Sequence, residues 1–221
     1  MNLKVEWTSP EDLEFVAEKL LFDYQATGGD ISRPPIPIED IIENKLGLEL
    51  IVDDLRTKQG KPDILGCTYV EDKTICIDSS IQEEEGQYNF TCSHEVAHWL
   101  KHKDLYLAQR KQTSLLPREK EPIVMCRLTK AIQQVEYQAN RIAAAILMPR
   151  KQVIEALKDC RQLLSGEIRH RTQYYIKSEV EQLARECALI IYKRFRVSIQ
   201  TMQIRILELR LLNSIGTVSL L

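Results

Sequence analysis

His94-Glu95-Val96-Ala97-His98 decides how this chain is read. Residues four apart on an α-helix lie one turn apart, with Cβ atoms roughly 5 to 6 Å from each other, so two imidazoles at this spacing reach one cation. Glu95 sits beside the first of them and need not bind the metal. It is placed to take a proton from a water that a zinc ion has acidified to a pKa of about 7. The five residues therefore describe metal-assisted hydrolysis, with His94 and His98 as ligands and Glu95 as general base. The helix that carries them is expected over residues 86–103, where Tyr88, Val96, Trp99 and Leu100 supply an apolar side.

A catalytic zinc takes three protein ligands and keeps one position open. One source for the third is the same helix extended, in the pattern His-Glu-x-x-His-x-x-Gly-x-x-His. Here the glycine slot is Lys101, which resists the left-handed turn that glycine permits, and the last slot is Asp104. His102 continues the four-residue spacing but lies two turns from His94, and it reads as a solvated surface histidine. The other source is a separate helix. Glu136 opens the run Glu136-Tyr137-Gln138-Ala139-Asn140-Arg141-Ile142-Ala143-Ala144-Ala145-Ile146-Leu147-Met148-Pro149, which Pro149 brings to an end. Ala139, Ala143 and Ala144 leave room for close helix approach, so a short carboxylate can reach a metal held by another helix. Asn140, one turn after Glu136, is placed to orient that carboxylate or a histidine from behind.

These two runs resemble the ImmA/IrrE metallopeptidases, which act on repressors of the helix-turn-helix class. Phe90-Thr91-Cys92-Ser93-His94-Glu95-Val96-Ala97-His98 is similar to the family's first signature, and Glu136-x-x-Ala139-Asn140-x-x-Ala143-Ala144-x-x-Leu147-Met148-Pro149 to its second. The resemblance implies that His94, His98 and Glu136 bind Zn2+, with Mn2+ or another divalent metal as substitutes, and that Glu95 is the base. Ile142 replaces a phenylalanine common in the family, which bears on packing and on none of the ligands. It further implies an α+β, zincin-like fold, mainly helical, with a small three-stranded sheet beside the metal-binding helix and a helical C-terminal region.

The rest of the chain reads in the same sense. Residues 10–26 repeat Leu13, Val16, Ala17, Leu20, Leu21 and Tyr24 at helical spacing behind a Ser9-Pro10 start, and Gly28-Gly29 ends the run. Pro34, Pro35 and Pro37 make a stiff connector, followed by a short helix over residues 38–46 closed by Gly47. Residues 48–52, 64–70 and 74–78 read as strands, the last two joined by a tight turn at Glu71-Asp72-Lys73. One edge of such a sheet is suited to receive an extended peptide by strand addition. Residues 103–128, with Pro117 and Pro122, read as a long connection of the kind that covers clefts. Beyond Pro149, helices are expected near 151–158, 172–194 and 199–212, the last capped by Ser198. The division expected is a metallopeptidase core over 1–150 and a helical, helix-turn-helix-like region over 151–221.

Charge is unevenly spread: residues 150–221 hold thirteen Lys or Arg against seven acidic residues, whereas the first hundred hold eight against twenty-one. A phosphate-binding surface gathers basic residues on one face, and here they are scattered between apolar positions, so direct DNA binding is not favoured. An acidic N-terminal half suits a basic partner instead. No apolar run approaches the roughly 18 residues of a membrane span and no signal peptide opens the chain, so a cytoplasmic protein is expected. Such a compartment keeps the six cysteines reduced. Cys67 and Cys76 flank the expected hairpin and are placed to face each other, and Cys92 and Cys126 lie near the metal helices as candidate oxidation sensors. The function the family resemblance implies is a zinc-dependent endopeptidase that cuts a helix-turn-helix (XRE-type) repressor and so relieves repression of stress or mobile-element genes. Two alternatives are a metal-stabilised protein that holds a repressor without cutting it and a DNA-binding regulator using residues 195–212.

Overall fold

The computed structural model describes residues 5–113, 129–160 and 177–212. They form two compact units, one made of Met1–Ile31 with Pro37–Ile146, the other of Ser32–Ile36 with Leu147–Leu221. The architecture is α+β: mainly helical, with a three-stranded mixed sheet.

In the first unit, α1 (Pro10–Ala26) starts where the sequence places it. Ser9 caps it by accepting the Asp12 N–H, Pro10 takes the first turn, and Leu13, Ala17, Leu20, Leu21 and Tyr24 are its buried stripe. It stops at Gly28, whose φ of 96° is open to glycine at little cost. A short helix α2 (Ile38–Asp40) runs on as a π-helical turn (Ile41–Lys45). Tyr24 Oη donates to Asp40, which ties it to α1.

The strands are β1 (Glu49–Asp53), β2 (Gly66–Tyr69) and β3 (Thr74–Asp78), in the order β1-β3-β2. β2 and β3 form the antiparallel hairpin expected from the turn, in which Lys73 adopts φ 55°. β1 joins the far side of β3 in parallel, Leu50 opposite Ile75 and Val52 opposite Ile77. A parallel pair needs a crossover, and here α3 (Leu55–Gln59) and β2 intervene. α3 is an addition to the sequence reading: Asp54 caps its start by accepting the Thr57 N–H, and Gly60 at φ 61° closes it. The central strand β3 is buried at every residue, with Ile75 and Ile77 fully inaccessible.

α4 (Glu85–Thr113) is longer than the expected 86–103, because the segment read as the start of a long loop continues the helix. The expected cleft cover is corrected to that extent, and its remainder, 114–128 with Cys126, lies outside the described residues. α5 (Thr129–Leu147) buries Val135, Ala139, Ile142, Ala143 and Ile146.

In the second unit, α6 (Arg150–Leu157) is followed by a 3-10 turn (Lys158–Cys160). α7 (Lys177–Phe195) and α8 (Ile199–Glu208) pack against each other, with Cys187, Ala188, Ile191 and Phe195 buried on one and Met202 and Ile206 on the other. Ser198 caps α8 as expected, accepting the Thr201 N–H at 3.0 Å, although the helix ends at Glu208 rather than 212. Residues 161–176 and the apolar end from Ser214 are outside the described residues. Arg205 is fully buried on α8, and its Nε donates to the Met148 carbonyl at 3.0 Å, satisfying a carbonyl left over just beyond the end of α5. Among the described residues, no helix is long and apolar enough to cross a membrane.

Candidate metal centre

Helices α4 and α5 touch at Ser93 and Ala143. Ser93, Ala97, Ala139 and Ala143 are all inaccessible to solvent, and Ser93 Oγ donates to the Ala143 carbonyl at 3.2 Å, side chain against backbone. This close approach brings the Glu136 carboxylate of α5 onto the two histidines of α4. Its Oε2 lies 3.1 Å from His94 Nε2 and its Oε1 3.5 Å from His98 Nε2, while the two Nε2 atoms are 2.9 Å apart. Among the described residues, His94, His98 and Glu136 are the group of His, Cys, Asp or Glu whose ligand atoms all fall within 4.8 Å of one another.

The donor set fits a small divalent cation. Tetrahedral ligands about 2.1 Å from zinc stand about 3.4 Å from one another, close to the three edges found here. Burial decreases across the triangle, from His98 (side chain 5 % exposed) through His94 (17 %) to Glu136 (46 %), so one side remains open. Asp104 on the same helix is exposed and takes no part in the cluster.

Each histidine is held from behind through its other nitrogen. Asn140 Oδ1 stands 3.0 Å from His94 Nδ1, the orienting contact that its position one turn after Glu136 suggested. Behind His98 the sequence reading requires correction. His102 is 1 % exposed, and its Nδ1 lies 3.1 Å from His98 Nδ1. Its Nε2 meets Gln138 Oε1 at 3.0 Å, and Gln138 Nε2 donates to the Glu6 carbonyl at 2.9 Å and Thr8 Oγ1 at 3.3 Å. What reads as a surface histidine is buried because α5 and the segment before α1 close over it.

Burial lowers the pKa of His98 well below that of a free imidazole, with His94 and His102 adding to the effect. For His94, burial acts in the same direction, but the Glu136 carboxylate and the charge of Glu95 outweigh it and the net shift is upward. Burial raises the carboxyl of Glu95, against the opposing influence of His94 and of a hydrogen bond from Thr68.

That hydrogen bond comes from the sheet. Thr68 Oγ1 donates to Glu95 Oε2 at 2.8 Å, from strand β2 packed across α4. Two residues earlier on the same strand face, Gly66 leaves no room for a side chain: a Cβ there would lie 2.7 Å from Thr91 Cγ2 and 3.1 Å from Glu95 Cγ and Oε1. Both residues escaped the sequence reading. A glycine inside a strand is the one signal that pointed to them, since it marks a bulge or a close backbone approach. On the next register position Cys67 faces Cys76, both as buried free thiols. Cys92 is also a free thiol, and burial pushes its pKa up to about 12.

The model of the IrrE N-terminal-like domain, peptidase family M78, matches residues 44–207, which include both helices of this centre. No curated protein matches the chain. Among solved structures, a Mycobacterium tuberculosis transcriptional regulator is similar at 16% identity and a TM-score of 0.49, over 86% of this chain and 54% of that one. The chain thus spans about half the length of that structure.

Proposed function

The chain belongs to the IrrE N-terminal-like family of M78 peptidases, and from that premise we propose that it is a zinc-dependent endopeptidase. Its substrate in this reading is a partner repressor of the helix-turn-helix class, whose cleavage relieves repression of stress or mobile-element genes. The observation that carries the reading is the convergence of His94 Nε2, His98 Nε2 and the Glu136 carboxylate within one coordination sphere, one residue from a buried glutamate.

His94, His98 and Glu136 would hold the cation, and Glu95 is assigned the proton transfers. A bound divalent cation supplies Lewis acidity toward a carbonyl oxygen and a water. The residues supply the rest. Thr68 donates to Oε2 of Glu95 and holds the carboxylate, which would take the proton of the attacking water and return it to the leaving amine. Burial raises the pKa of Glu95, against the charge of His94 and the hydrogen bond from Thr68. Strand β2, paired with β3 on one side, offers its other edge to an extended peptide next to Glu95. The burial of Arg205 removes one cation from any duplex-facing surface on α8, which supports a peptidase over a DNA-binding role for residues 195–212.

The test is co-incubation of the zinc-loaded chain with a helix-turn-helix repressor, sought first among proteins encoded beside its gene. A single cut, abolished by a chelator and restored by zinc, is expected. Stable association without cutting would replace the peptidase by a metal-stabilised binding partner.

A further inference from the structure

We propose that His102 and Gln138 are positioning residues that fix the tautomer of His98, and that docking of the segment at Glu6 and Thr8 thereby sets the metal affinity of the centre. The inference rests on the reading of His98 as a ligand.

The far end of this chain of contacts has no freedom. The Glu6 carbonyl oxygen can only accept. Gln138 therefore turns its amide nitrogen toward it, at 2.9 Å, and the same nitrogen meets Thr8 Oγ1 at 3.3 Å. With the amide so oriented, Oε1 faces His102 Nε2 at 3.0 Å, and an amide oxygen also only accepts. His102 carries its proton on Nε2, and a neutral imidazole has one N–H, so Nδ1 presents a lone pair. That lone pair lies 3.1 Å from His98 Nδ1, which must donate to it. His98 Nε2 is then left bare, aimed at His94 Nε2 and Glu136.

The reverse arrangement is costly at both ends. It places a proton on His98 Nε2 inside the donor triangle, where it would have to be lost before a cation could bind. It also turns Gln138 Oε1 against the Glu6 carbonyl, so that two acceptors face each other. His102 and Gln138 are each 1 % exposed, so water has little access to repair a broken link. His94 is held separately, by Asn140, and that contact involves neither His102 nor Gln138. Groups that orient a metal-binding histidine in this way commonly change metal affinity by about 10- to 100-fold when removed. Because binding linkage is reciprocal, a cation in the centre must also strengthen the docking of residues 6–9.

The test uses the full-length metal-free protein titrated with zinc against a chromophoric chelator, with circular dichroism as the check of folding. His102→Phe and Gln138→Leu should weaken zinc binding by about 10- to 100-fold. His102→Asn, whose Oδ1 stands near the place of Nδ1 and accepts the same proton, should recover most of the loss. Should His102→Phe fail to fold, nitrogen-15 spectra of the wild-type apoprotein decide: His98 protonated on Nδ1 and His102 on Nε2 are expected, and the opposite tautomers overturn the assignment. Hydrogen exchange at residues 6–9 should slow on adding zinc, and unchanged exchange removes the link to the N-terminal segment. Wild-type protein that binds no zinc would refute the metal-centre reading itself. Tight binding by wild type and by folded His102→Phe alike would refute only the positioning role.

Discussion

Gly66→Ala tests how closely the sheet is fitted to the helix that carries the site. The glycine is not in a left-handed conformation, so alanine meets no backbone strain. By restricting the unfolded chain it would on its own stabilise by about 0.4 to 1 kcal/mol. Space decides otherwise. The new methyl would sit 2.7 Å from Thr91 Cγ2 and 3.1 Å from Glu95 Cγ, whereas carbon atoms pack best at about 3.5 to 4.0 Å. Thr91 is buried and β-branched on a helix, so it has few rotamers to escape into. Strand β2 must therefore retreat from α4 by close to an ångström, at a cost of about 1 to 3 kcal/mol. The two opposing effects leave a net destabilisation centred on about 1.3 kcal/mol and no larger than about 2.6 kcal/mol. Thr68 moves with the strand, and its 2.8 Å hydrogen bond to Glu95 would be stretched past useful length. Urea denaturation measures the first effect, and Thr91→Ala in the same chain should return part of the stability by removing the worst contact. A Gly66→Ala protein as stable as wild type would refute the claim that the sheet backbone lies against Glu95.

Two further outcomes are expected. Thr68→Val keeps the shape of a fully buried residue but deprives the Glu95 carboxylate of a donor. Stability should fall by about 1 to 3 kcal/mol, and peptide cleavage should fall further than metal affinity. Asp78 is buried beneath Arg56 and Ser80. Burial alone would raise its carboxyl, but hydrogen bonds from Ser80 and from the Arg56 amide, with the Arg56 charge, outweigh it and hold the pKa below the ordinary carboxylate range. A depressed folded-state value gives stability that is complete above the unfolded pKa of about 3.9 and is lost as pH falls through the folded value. Asp78→Asn should therefore be less stable than wild type at neutral pH, with the difference shrinking below about pH 4 when both are unfolded by urea.

What the sequence disclosed was local. The Ser9-Pro10 start of α1, the Ser198 cap and the one-turn spacings of His94, His98, Glu136 and Asn140 are set by a few neighbouring residues, and those features are legible without the fold. The alanine face of α5 was readable for the same reason: small residues at helical spacing have little purpose except close approach. What it hid depended on distant segments. His102 is flanked by Lys101, Lys103 and Asp104, a solvated pattern, and only Gln138 and the segment at Glu6 and Thr8 bury it. The strand order β1-β3-β2 could not be taken from three strand-like runs, because the parallel pairing is fixed by a crossover of some twenty residues rather than by a turn. α3, between Asp54 and Gly60, carries proper caps but is too short to show periodicity.

The central claim is that Glu95 performs proton transfer at a metal held by His94, His98 and Glu136. Its most direct test is mass spectrometry of the partner repressor after incubation with zinc-loaded wild type and with zinc-loaded Glu95→Gln. Glutamine preserves the size of the side chain and the contact with Thr68 while removing the base. One new terminus with wild type, and none with a Glu95→Gln protein that retains its zinc, is the expected result. Equal cutting by both proteins would contradict the account.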